Sequence, residues 1–356
     1  MSRINSFLEL LVNQGGSDLH MISGELPRIR IHGVLHKVRF RELSEGDMER
    51  ILGEFLEPEV LRKLETHLSV GFAYEVPDVG RFRANICRHH RGLAAAFRTV
   101  SSRILSLDEL GLPPSVKMTV AQPKGLTLVT GPTGSGKTTT LAAVVDYINS
   151  SRRGHIITLE DPIECLHQYK KCVVTQREIG THSPSFSEAL KNAVREDPDV
   201  IMLGELRDLE SIALALTAAE TGIQILGTLH TNGASRTVDR IVNVFPARRQ
   251  EQIRSMLAES LRMIVSQQLV PNSEGSGRIL AAEVLLNTHA AASMIRAANS
   301  HKLSSVIQAG GKVGMQSLDS VLKELVRKES ITVDEAYEHA VDRSQFESQM
   351  ARREAA

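Results

Sequence analysis

The stretch Gly131-Pro-Thr-Gly-Ser-Gly-Lys137-Thr138 constrains this chain more than any other part of its sequence. It lies between an apolar run at 126–130 and a good helix former that begins near Thr139. This order is typical of a phosphate-binding loop, in which glycines let the backbone curl so that its N–H groups converge on phosphates. The following helix points its positive N-terminus at the same anion. The loop is therefore predicted to bind a nucleoside triphosphate.

The residue types in the loop match the chemistry of that ligand. Lys137 supplies a positive charge near the β- and γ-phosphates, and Thr138 offers a hydroxyl to Mg²⁺. A glycine-rich turn that only joins a strand to a helix would not require Lys-Thr after its last glycine. The predicted nucleotide-binding residues are Gly131, Thr133, Gly134, Ser135, Gly136, Lys137, Thr138 and Thr139.

Length and composition limit the other possibilities. The 356 residues exceed one ordinary core and suggest two domains. The 42 basic and 42 acidic residues cancel, so no overall field favours an anionic membrane, and no nucleic-acid partner is expected. The three cysteines form no CxxC pair, and we find no signal peptide and no apolar segment long enough to span a bilayer. These features predict a reducing cytoplasmic location and argue against structural zinc.

The clearest break in the chain lies near Leu112-Pro113-Pro114. Before it, short alternating runs and one or two helices around 47–67 predict a small α+β domain. After it, nearly continuous apolar runs alternate with helical stretches, which predicts a mostly parallel sheet covered on both faces. The predicted strands are 28–34, 72–76 and 81–87 in the first part and 126–130, 155–159, 200–203 and 223–229 in the second.

We therefore predict an α/β chain in three parts. Residues 1–112 form the N-terminal α+β domain and linker, and residues 113–286 form the α/β core. Residues 287–356 look helical, since Leu318, Leu322 and Leu325 share one helical face. The N-terminal run with Ile4, Phe7, Leu8, Leu11 and Val12 also has helical spacing, and core packing explains it better than a membrane anchor.

Charged residues follow the other three predicted strands of the core. The second strand runs into Glu160-Asp161-Pro-Ile-Glu164, the third into Gly204-Glu205, and the fourth into Leu229-His230. Ligands of an open parallel sheet bind at the carboxyl ends of its strands. Hydrolysis of a γ-phosphate needs a carboxylate to orient water, another to hold Mg²⁺, and a polar group that distinguishes tri- from diphosphate. A single acidic residue after a strand is more often a helix cap, so the prediction depends on their joint placement.

These four motifs, in this order and spacing, resemble the Walker A, Asp box, Walker B and His box of the type II/type IV secretion ATPase superfamily. The resemblance is closest to the PilT-type pilus retraction ATPases and runs along essentially the whole chain. Further matching stretches are 16–20 (GSDLH), 216–222 (LTAAETG), 239–241 (DRI) and 245–246 (FP). The resemblance implies a RecA-like P-loop ATPase core, a PAS-like N-terminal domain and a helical C-terminal region.

The resemblance also implies roles within the core. Glu164 corresponds to the carboxylate that polarises water, Glu205 to the Mg²⁺-linked Walker B acid, and His230 to the γ-phosphate sensor. A lone histidine after a strand is commonly structural, and only the motif around His230 favours a functional role. Glu160 and Asp161 either shape the loop or contact the nucleotide.

Arginine fingers are implied as well, because in this superfamily arginines from the N-terminal domain reach the nucleotide. Arg83 and Arg98 are the leading candidates. The alternative is a solvated basic strand face, since arginines that alternate along a strand usually face water. The sequence alone leaves both readings open.

The family's partners are implied by the same resemblance. It implies a homohexamer that hydrolyses ATP with Mg²⁺ at the cytoplasmic face of the inner membrane and acts on a pilus platform protein. Other pilus ATPases are further candidate partners. The chain has no paired-CxxC module and no longer N-terminal region, which favours the retraction branch over pilus assembly. Neutral charge and few aromatic residues disfavour a nucleic-acid motor.

One C-terminal helix departs from the family pattern. PilT-type chains read AIRNLIRE where this chain has Ala292, Ser293 and Ala297 in place of the first arginine, the asparagine and the glutamate, while Arg296 is kept. We expect Ala292 and Arg296 to share an exposed docking face. Two hypotheses follow: a retraction motor, or an ATP-binding accessory or regulatory paralogue with weakened coupling to the platform.

Overall fold

The computed structural model describes residues 2–31, 33–100 and 103–354. The chain divides into two compact units. The first contains the residues up to Arg103 together with Pro162–Leu166, and the second contains Ile104–Asp161 and the residues from His167 onward. Residues 104–112, which the sequence grouped with the N-terminal domain, lie in the second unit because Leu107 and Leu112 are buried in its core.

The first unit contains an antiparallel sheet of six strands in the described residues, ordered β3-β2-β1-β6-β5-β4. Large apolar side chains such as Phe82 and Phe97 form its core with the buried face of the first helix. The helices are α1 (Arg3–Asn13), α2 (Glu45–Gly53) and α3 (Pro58–His67). The strands are β1 (Asp18–Ile22), β2 (Arg28–Ile31), β3 (Val34–Lys37), β4 (Ser69–Val76), β5 (Gly80–His89) and β6 (Gly92–Val100).

Two sequence predictions for this unit need correction, and two of its strands were missed. The run 28–34 is two strands, because Gly33 has a φ of +84° and forms part of the turn between β2 and β3. Strands β1 and β6 were not predicted. Helix α1 buries four of its five predicted core residues, but Val12 is 40% exposed because it falls on the solvent side of the helix.

The second unit contains a sheet of seven strands in the described residues, ordered β13-β12-β7-β11-β10-β8-β9. All neighbours pair in parallel except β12 and β13. The strands are β7 (Gly125–Thr130), β8 (Gly154–Glu160), β9 (Cys172–Glu178), β10 (Val200–Leu203), β11 (Gln224–Leu229), β12 (Leu261–Pro271) and β13 (Arg278–Leu286). The four predicted core strands are thus confirmed, and β9, β12 and β13 were missed.

Helices cover both faces of this sheet, as the nearly continuous apolar strands predicted. Leu128 of β7 packs in a cluster with Leu216, whereas the next residue, Val129, packs on the other face with Val144. Each such fully buried side chain contributes about 1.5–3 kcal/mol. The helices up to residue 260 are α4 (Pro114–Val120), α5 (Lys137–Ser151), α6 (Phe186–Ala193), α7 (Leu209–Glu220), α8 (Ala234–Asn243) and α9 (Ala247–Ser260).

The regular elements described after residue 287 are helical, as predicted. Leu318 and Leu322 pack against Val270 and Ala281 of β12 and β13, so these helices share a core with the edge of the sheet. They are α10 (His289–Arg296), α11 (Leu303–Ala309), α12 (Leu318–Arg327), α13 (Val333–His339) and α14 (Ser344–Glu354), with 3₁₀ turns at Ser300–Lys302 and Gly310–Val313.

The predicted docking face on α10 is wrong at one position. Ala292 is only 7% exposed and belongs to the hydrophobic core, together with Ala291 and Ile295. Residues 291, 292 and 295 lie on one side of a helix, and that side packs inward. Ser293 and Arg296 are exposed, so the solvent face of α10 is offset from the expected one.

Candidate functional site

The predicted phosphate loop joins β7 to α5. Gly134 and Gly136 have φ values of +79° and +85°, in the left-handed region that favours glycine. Gly131 has a φ of +145°, and a Cβ there would lie 2.2 Å from the backbone oxygen of Gln267. The loop therefore follows a path that glycine permits at each of these three positions.

The loop presents hydrogen-bond donors that the chain itself does not use. The backbone N–H groups of Gly134 and Gly136 have no acceptor among the described residues, and the first turn of α5 adds further unpaired donors. The hydroxyl of Ser135 is buried without a partner within the same described set. Thr138 and Thr139 are exposed. Such a set of donors fits an anionic group with several oxygens.

Lys137 is held over this loop by three acceptors. Its Nζ donates to the carbonyl oxygens of Gly131 at 3.0 Å and Pro132 at 2.9 Å, and it lies 3.3 Å from Nδ1 of His230. The side chain is buried, and burial lowers the pKa of Lys137 while the Glu205 carboxylate partly offsets this effect. An ammonium group with three protein acceptors is positioned beside the loop backbone.

His230 connects Lys137 to Glu205, the second residue after β10. Its Nε2 lies 3.5 Å from Oε1 of Glu205, whose other oxygen accepts a 2.7 Å hydrogen bond from Nε of Arg207. Arg207 in turn lies 3.7 Å from Asp161 at the end of β8. The structure thus brings together the ends of β7, β8, β10 and β11 and joins Lys137, His230 and Glu205 in one chain of contacts.

Glu160 and Asp161 differ in their surroundings. Glu160 is buried, and its Oε1 accepts hydrogen bonds from Thr158 at 2.6 Å and Gln176 at 3.1 Å. These bonds tie it to its own strand and to β9. Asp161 is nearly half exposed and faces Arg207. Of the two residues that sequence left ambiguous, Glu160 stabilises the strand end, whereas Asp161 belongs to the contact chain.

The remaining predicted site residues lie in the first unit. Glu164 belongs to the segment Pro162–Leu166, and its carboxylate lies 3.6 Å from Nη1 of Arg83 on β5. Arg98 on β6 donates a 2.8 Å hydrogen bond from Nε to the buried Asp18 of β1. Burial raises the pKa of Asp18, but hydrogen bonds from Ser17 and Arg98 outweigh burial, so its pKa lies below the usual value.

Sequence reasoning missed Gln267. It is completely buried on β12, donates to the backbone oxygen of Ser135, and accepts from Thr140 of α5. It lies more than a hundred positions beyond the loop, so no local motif connects them. The available signal was a polar pair, Gln267-Gln268, inside a strongly apolar run.

A cavity of about 750 Å³ adjoins the loop within the second unit. Gly136, Thr139 and Thr140 line its loop side, and apolar side chains including Leu110 and Leu269 line much of the rest. Polar groups come from Arg278, Gln316, Ser320, Glu324 and Lys328. An apolar cavity with a few polar groups is typical of a small-molecule site, and this one is large enough for a nucleoside.

None of the helices in the described residues is long and apolar enough to cross a membrane. No group of three or more His, Cys, Asp or Glu side chains in the same residues is placed to hold a metal ion.

Comparison with known proteins agrees with this geometry. The family model described as type II/IV secretion system protein matches residues 2–353. The chain is 46% identical over 337 residues to the type IV pilus retraction ATPase PilT of Pseudomonas aeruginosa, covering 95% of this chain and 98% of that protein. It is also 46% identical over 314 residues to a twitching motility protein of Neisseria gonorrhoeae, covering 88% and 84%.

A solved structure gives the same result. The crystal structure of the pilus retraction motor PilT with bound ADP superposes with a TM-score of 0.90 at 40% identity. The match covers 97% of this chain and 99% of that one. On sequence and on structure, the chain belongs to the type II/IV secretion system protein family.

Proposed function

We propose that this chain is an ATP-hydrolysing motor that retracts type IV pili and so drives twitching motility. The observation that carries the proposal is the contact chain from Lys137 through His230 to Glu205 beside the phosphate loop. Relatives named for pilus retraction and twitching motility match almost the full length of this chain. The solved PilT structure contains bound ADP, which supports nucleotide binding by this chain.

The loop binds the phosphates and the adjoining cavity binds the nucleoside in this proposal. Unpaired N–H groups of Gly134, Gly136 and the first turn of α5 donate to phosphate oxygens. Lys137 exchanges its carbonyl acceptors for phosphate oxygens, which carry more negative charge. Burial strengthens this attraction, because the ammonium group is partly removed from water.

The residues present also fit Mg²⁺. The exposed Thr138 hydroxyl and the Glu205 carboxylate would hold the ion, directly or through water. When bound, the ion neutralises charge on the phosphates. Glu205 is already fixed by Arg207 and adjacent to His230, so its orientation is set before the ligand binds.

His230 is proposed to sense the γ-phosphate. The ammonium group of Lys137 can only donate, so Nδ1 of His230 accepts and Nε2 carries the hydrogen that faces Glu205. A ligand whose phosphates attract Lys137 alters the hydrogen bond between Lys137 and the imidazole ring of His230. His230 is thereby placed to report the state of the phosphate site to the residues after β11.

Glu164 is proposed to polarise the attacking water, and Arg83 and Arg98 are the proposed arginine fingers. Family resemblance supports these roles. The two arginines differ in how firmly they are held. In the described part of the chain, Arg83 has a long contact of 3.6 Å to Glu164, whereas Arg98 is hydrogen-bonded to the buried Asp18. Breaking a bond to a buried carboxylate costs more than breaking an exposed ion pair, which favours Arg83.

The motor is proposed to work as a homohexamer at the cytoplasmic face of the inner membrane. Its partner would be the pilus platform protein, and other pilus ATPases are further candidates. Identical subunits that assemble head to tail form a ring when the rotation between neighbours closes. Nucleotide-driven movement of domains then supplies the mechanical step. The neutral net charge gives no support for a nucleic-acid partner.

An accessory or regulatory paralogue is the second candidate, and the surface of α10 favours it. Ser293 and Ala297 are exposed at positions where PilT-type chains carry asparagine and glutamate. This face therefore offers less polar recognition than the family pattern. A paralogue of this kind would bind ATP and act with another motor.

ATP turnover by the purified chain tests the proposal. We expect a hexamer that hydrolyses ATP, with turnover nearly abolished by Lys137→Ala and by Glu205→Gln. Glu164→Gln should keep nucleotide binding while hydrolysis slows. A parent chain that binds ATP without turnover would favour the accessory function, and normal hydrolysis by Glu164→Gln would exclude Glu164 from the reaction.

A further inference from the structure

Gln267 occupies a position that is unusual for a polar side chain. It lies in the middle of β12, with none of its surface exposed. Strand β12 pairs in parallel with β7, and Ser266 lies opposite Thr130, the last residue before the phosphate loop. A buried amide at this point needs both a donor and an acceptor to offset the loss of water.

The Gln267 amide satisfies both needs within the phosphate loop and its helix. Nε2 donates to the backbone oxygen of Ser135 at 2.7 Å, and Oε1 accepts from Oγ1 of Thr140 at 2.9 Å. The backbone oxygen of Gln267 also approaches Gly131 closely. One residue therefore contacts the beginning of the loop, its end and the first turn of α5.

The bond to Ser135 sets the direction of a phosphate donor. In a trans peptide the carbonyl of one residue and the N–H of the next point in opposite directions. Because the Ser135 carbonyl points at Gln267, the Gly136 N–H points away from β12. That N–H has no acceptor among the described residues, and Gly136, with its positive φ, could otherwise adopt several orientations at little cost.

We propose that Gln267 is a positioning residue that locks the Ser135–Gly136 peptide with its N–H turned toward the phosphates of the nucleotide. This inference depends on the proposed nucleotide binding at the loop. Glutamine suits the role because it donates to Ser135 and accepts from Thr140 at once. Methionine has a similar volume but no such polar groups, and asparagine is one methylene shorter.

The proposal predicts where the effect of a substitution appears. A fixed N–H binds the phosphates of ADP and of ATP alike, so its loss weakens both to the same extent and raises KM more than it lowers kcat. A role in general folding would instead lower the fraction of competent molecules. That change appears as reduced binding stoichiometry, with an unchanged dissociation constant in the molecules that fold.

Calorimetric titration with ADP and with ATP separates these outcomes. For Gln267→Met we expect both dissociation constants to rise about tenfold, with the same stoichiometry as the parent. A tenfold change corresponds to about 1.4 kcal/mol, which is close to the net free energy of one hydrogen bond to a charged group. Thr140→Val removes the other bond of the amide and changes one residue in the lining of the proposed nucleoside cavity, so it should raise both constants, but by less than Gln267→Met does. Equal effects of the two variants would contradict the positioning of Ser135.

Gln268→Met is the matched control. Gln268 is the next residue of β12, and its Oε1 lies 2.8 Å from Nδ1 of His339 in α13, within hydrogen-bond distance. The same substitution there removes a comparable contact without touching the loop, and the ADP constant should match the parent.

The outcomes also distinguish this inference from the proposed function. A parent chain that fails to bind ADP would refute the proposed function, and the inference with it. A parent that binds, with Gln267→Met binding equally well, would overturn the inference alone. If Gln267→Met lowers the binding stoichiometry, the ADP dissociation constant of Gln267→Asn is measured instead. A constant equal to that of the parent would contradict the proposal, and a tenfold loss of affinity would support it.

Discussion

Replacing His230 by alanine tests the proposed sensor role. Among the described residues the ring has two polar contacts, to Lys137 at 3.3 Å and to Glu205 at 3.5 Å. Both are long, and 43% of the side chain is exposed. Their loss should therefore cost less than about 1 kcal/mol of folding stability, because Lys137 keeps two carbonyl acceptors and Glu205 keeps Arg207.

The expected loss in catalysis is larger than the loss in stability. A hydrogen bond to a charged group that strengthens in the transition state contributes about 2–3 kcal/mol. That range corresponds to a fall in kcat of about 30- to 150-fold. ADP has no γ-phosphate, so its dissociation constant should change by less than about threefold.

Steady-state ATP turnover and ADP titration on the same preparation measure both quantities. His155→Ala is the matched control: its ring also has two contacts, to the backbone oxygen of Glu196 and to Thr175, at the opposite end of β8. Turnover of the control should follow its folded fraction. A His230→Ala variant with turnover within twofold of the parent, or with ADP affinity reduced as much as turnover, would refute the sensor role.

Three further predictions concern residues outside this contact chain. If Arg98 holds the buried Asp18 and is not an arginine finger, Arg98→Ala and Asp18→Asn should lower the urea midpoint of unfolding by similar amounts. ATP turnover per folded molecule should then stay normal in both variants. A loss of turnover in Arg98→Ala alone would show that Arg98 is a finger. Glu283 accepts from the N–H at the start of α8, and burial raises its pKa above 4.5. The folded state therefore binds the extra proton, and stability falls as pH rises through the folded pKa. Glu283→Gln keeps the acceptor, so its urea midpoint should exceed that of the parent by a margin that grows as the pH rises above the usual glutamate pKa of about 4.3, and a constant margin would contradict this. On α10, Ser293→Asn with Ala297→Glu should leave ATP turnover within about twofold and improve complementation of a retraction-deficient strain; unchanged complementation would remove this face from platform coupling.

The features predicted best were those with strong local signals. The glycines of the loop, the apolar strands of the core and the charged residues after those strands each follow from short stretches of sequence. The carboxyl ends of parallel strands meet at one edge, which is why the residues after these strands were predicted to act together. The contact of Lys137, His230 and Glu205 at that edge is seen in the structure.

The features that were missed depend on contacts distant in sequence. Gln267 reaches the loop only because β12 pairs with β7, and no pattern near residue 267 predicts that pairing. The buried side of α10 was predicted wrongly because alanine occurs on both buried and exposed helix faces. Ala292 therefore did not indicate which side of the helix packs inward. The turn within 28–34 was missed because alternation continues across Gly33, and only the positive φ reveals the break.

Deletion of this gene, with pilus number and surface motility measured, tests the central claim most directly. If the chain is a retraction motor, the deletion strain should carry more surface pili and lose twitching motility. The parent chain should restore the normal pilus number and motility, and neither Lys137→Ala nor Glu205→Gln should restore them. Unchanged pilus number and unchanged motility in the deletion strain, or motility restored by Lys137→Ala, would contradict the claim that ATP turnover by this chain drives retraction.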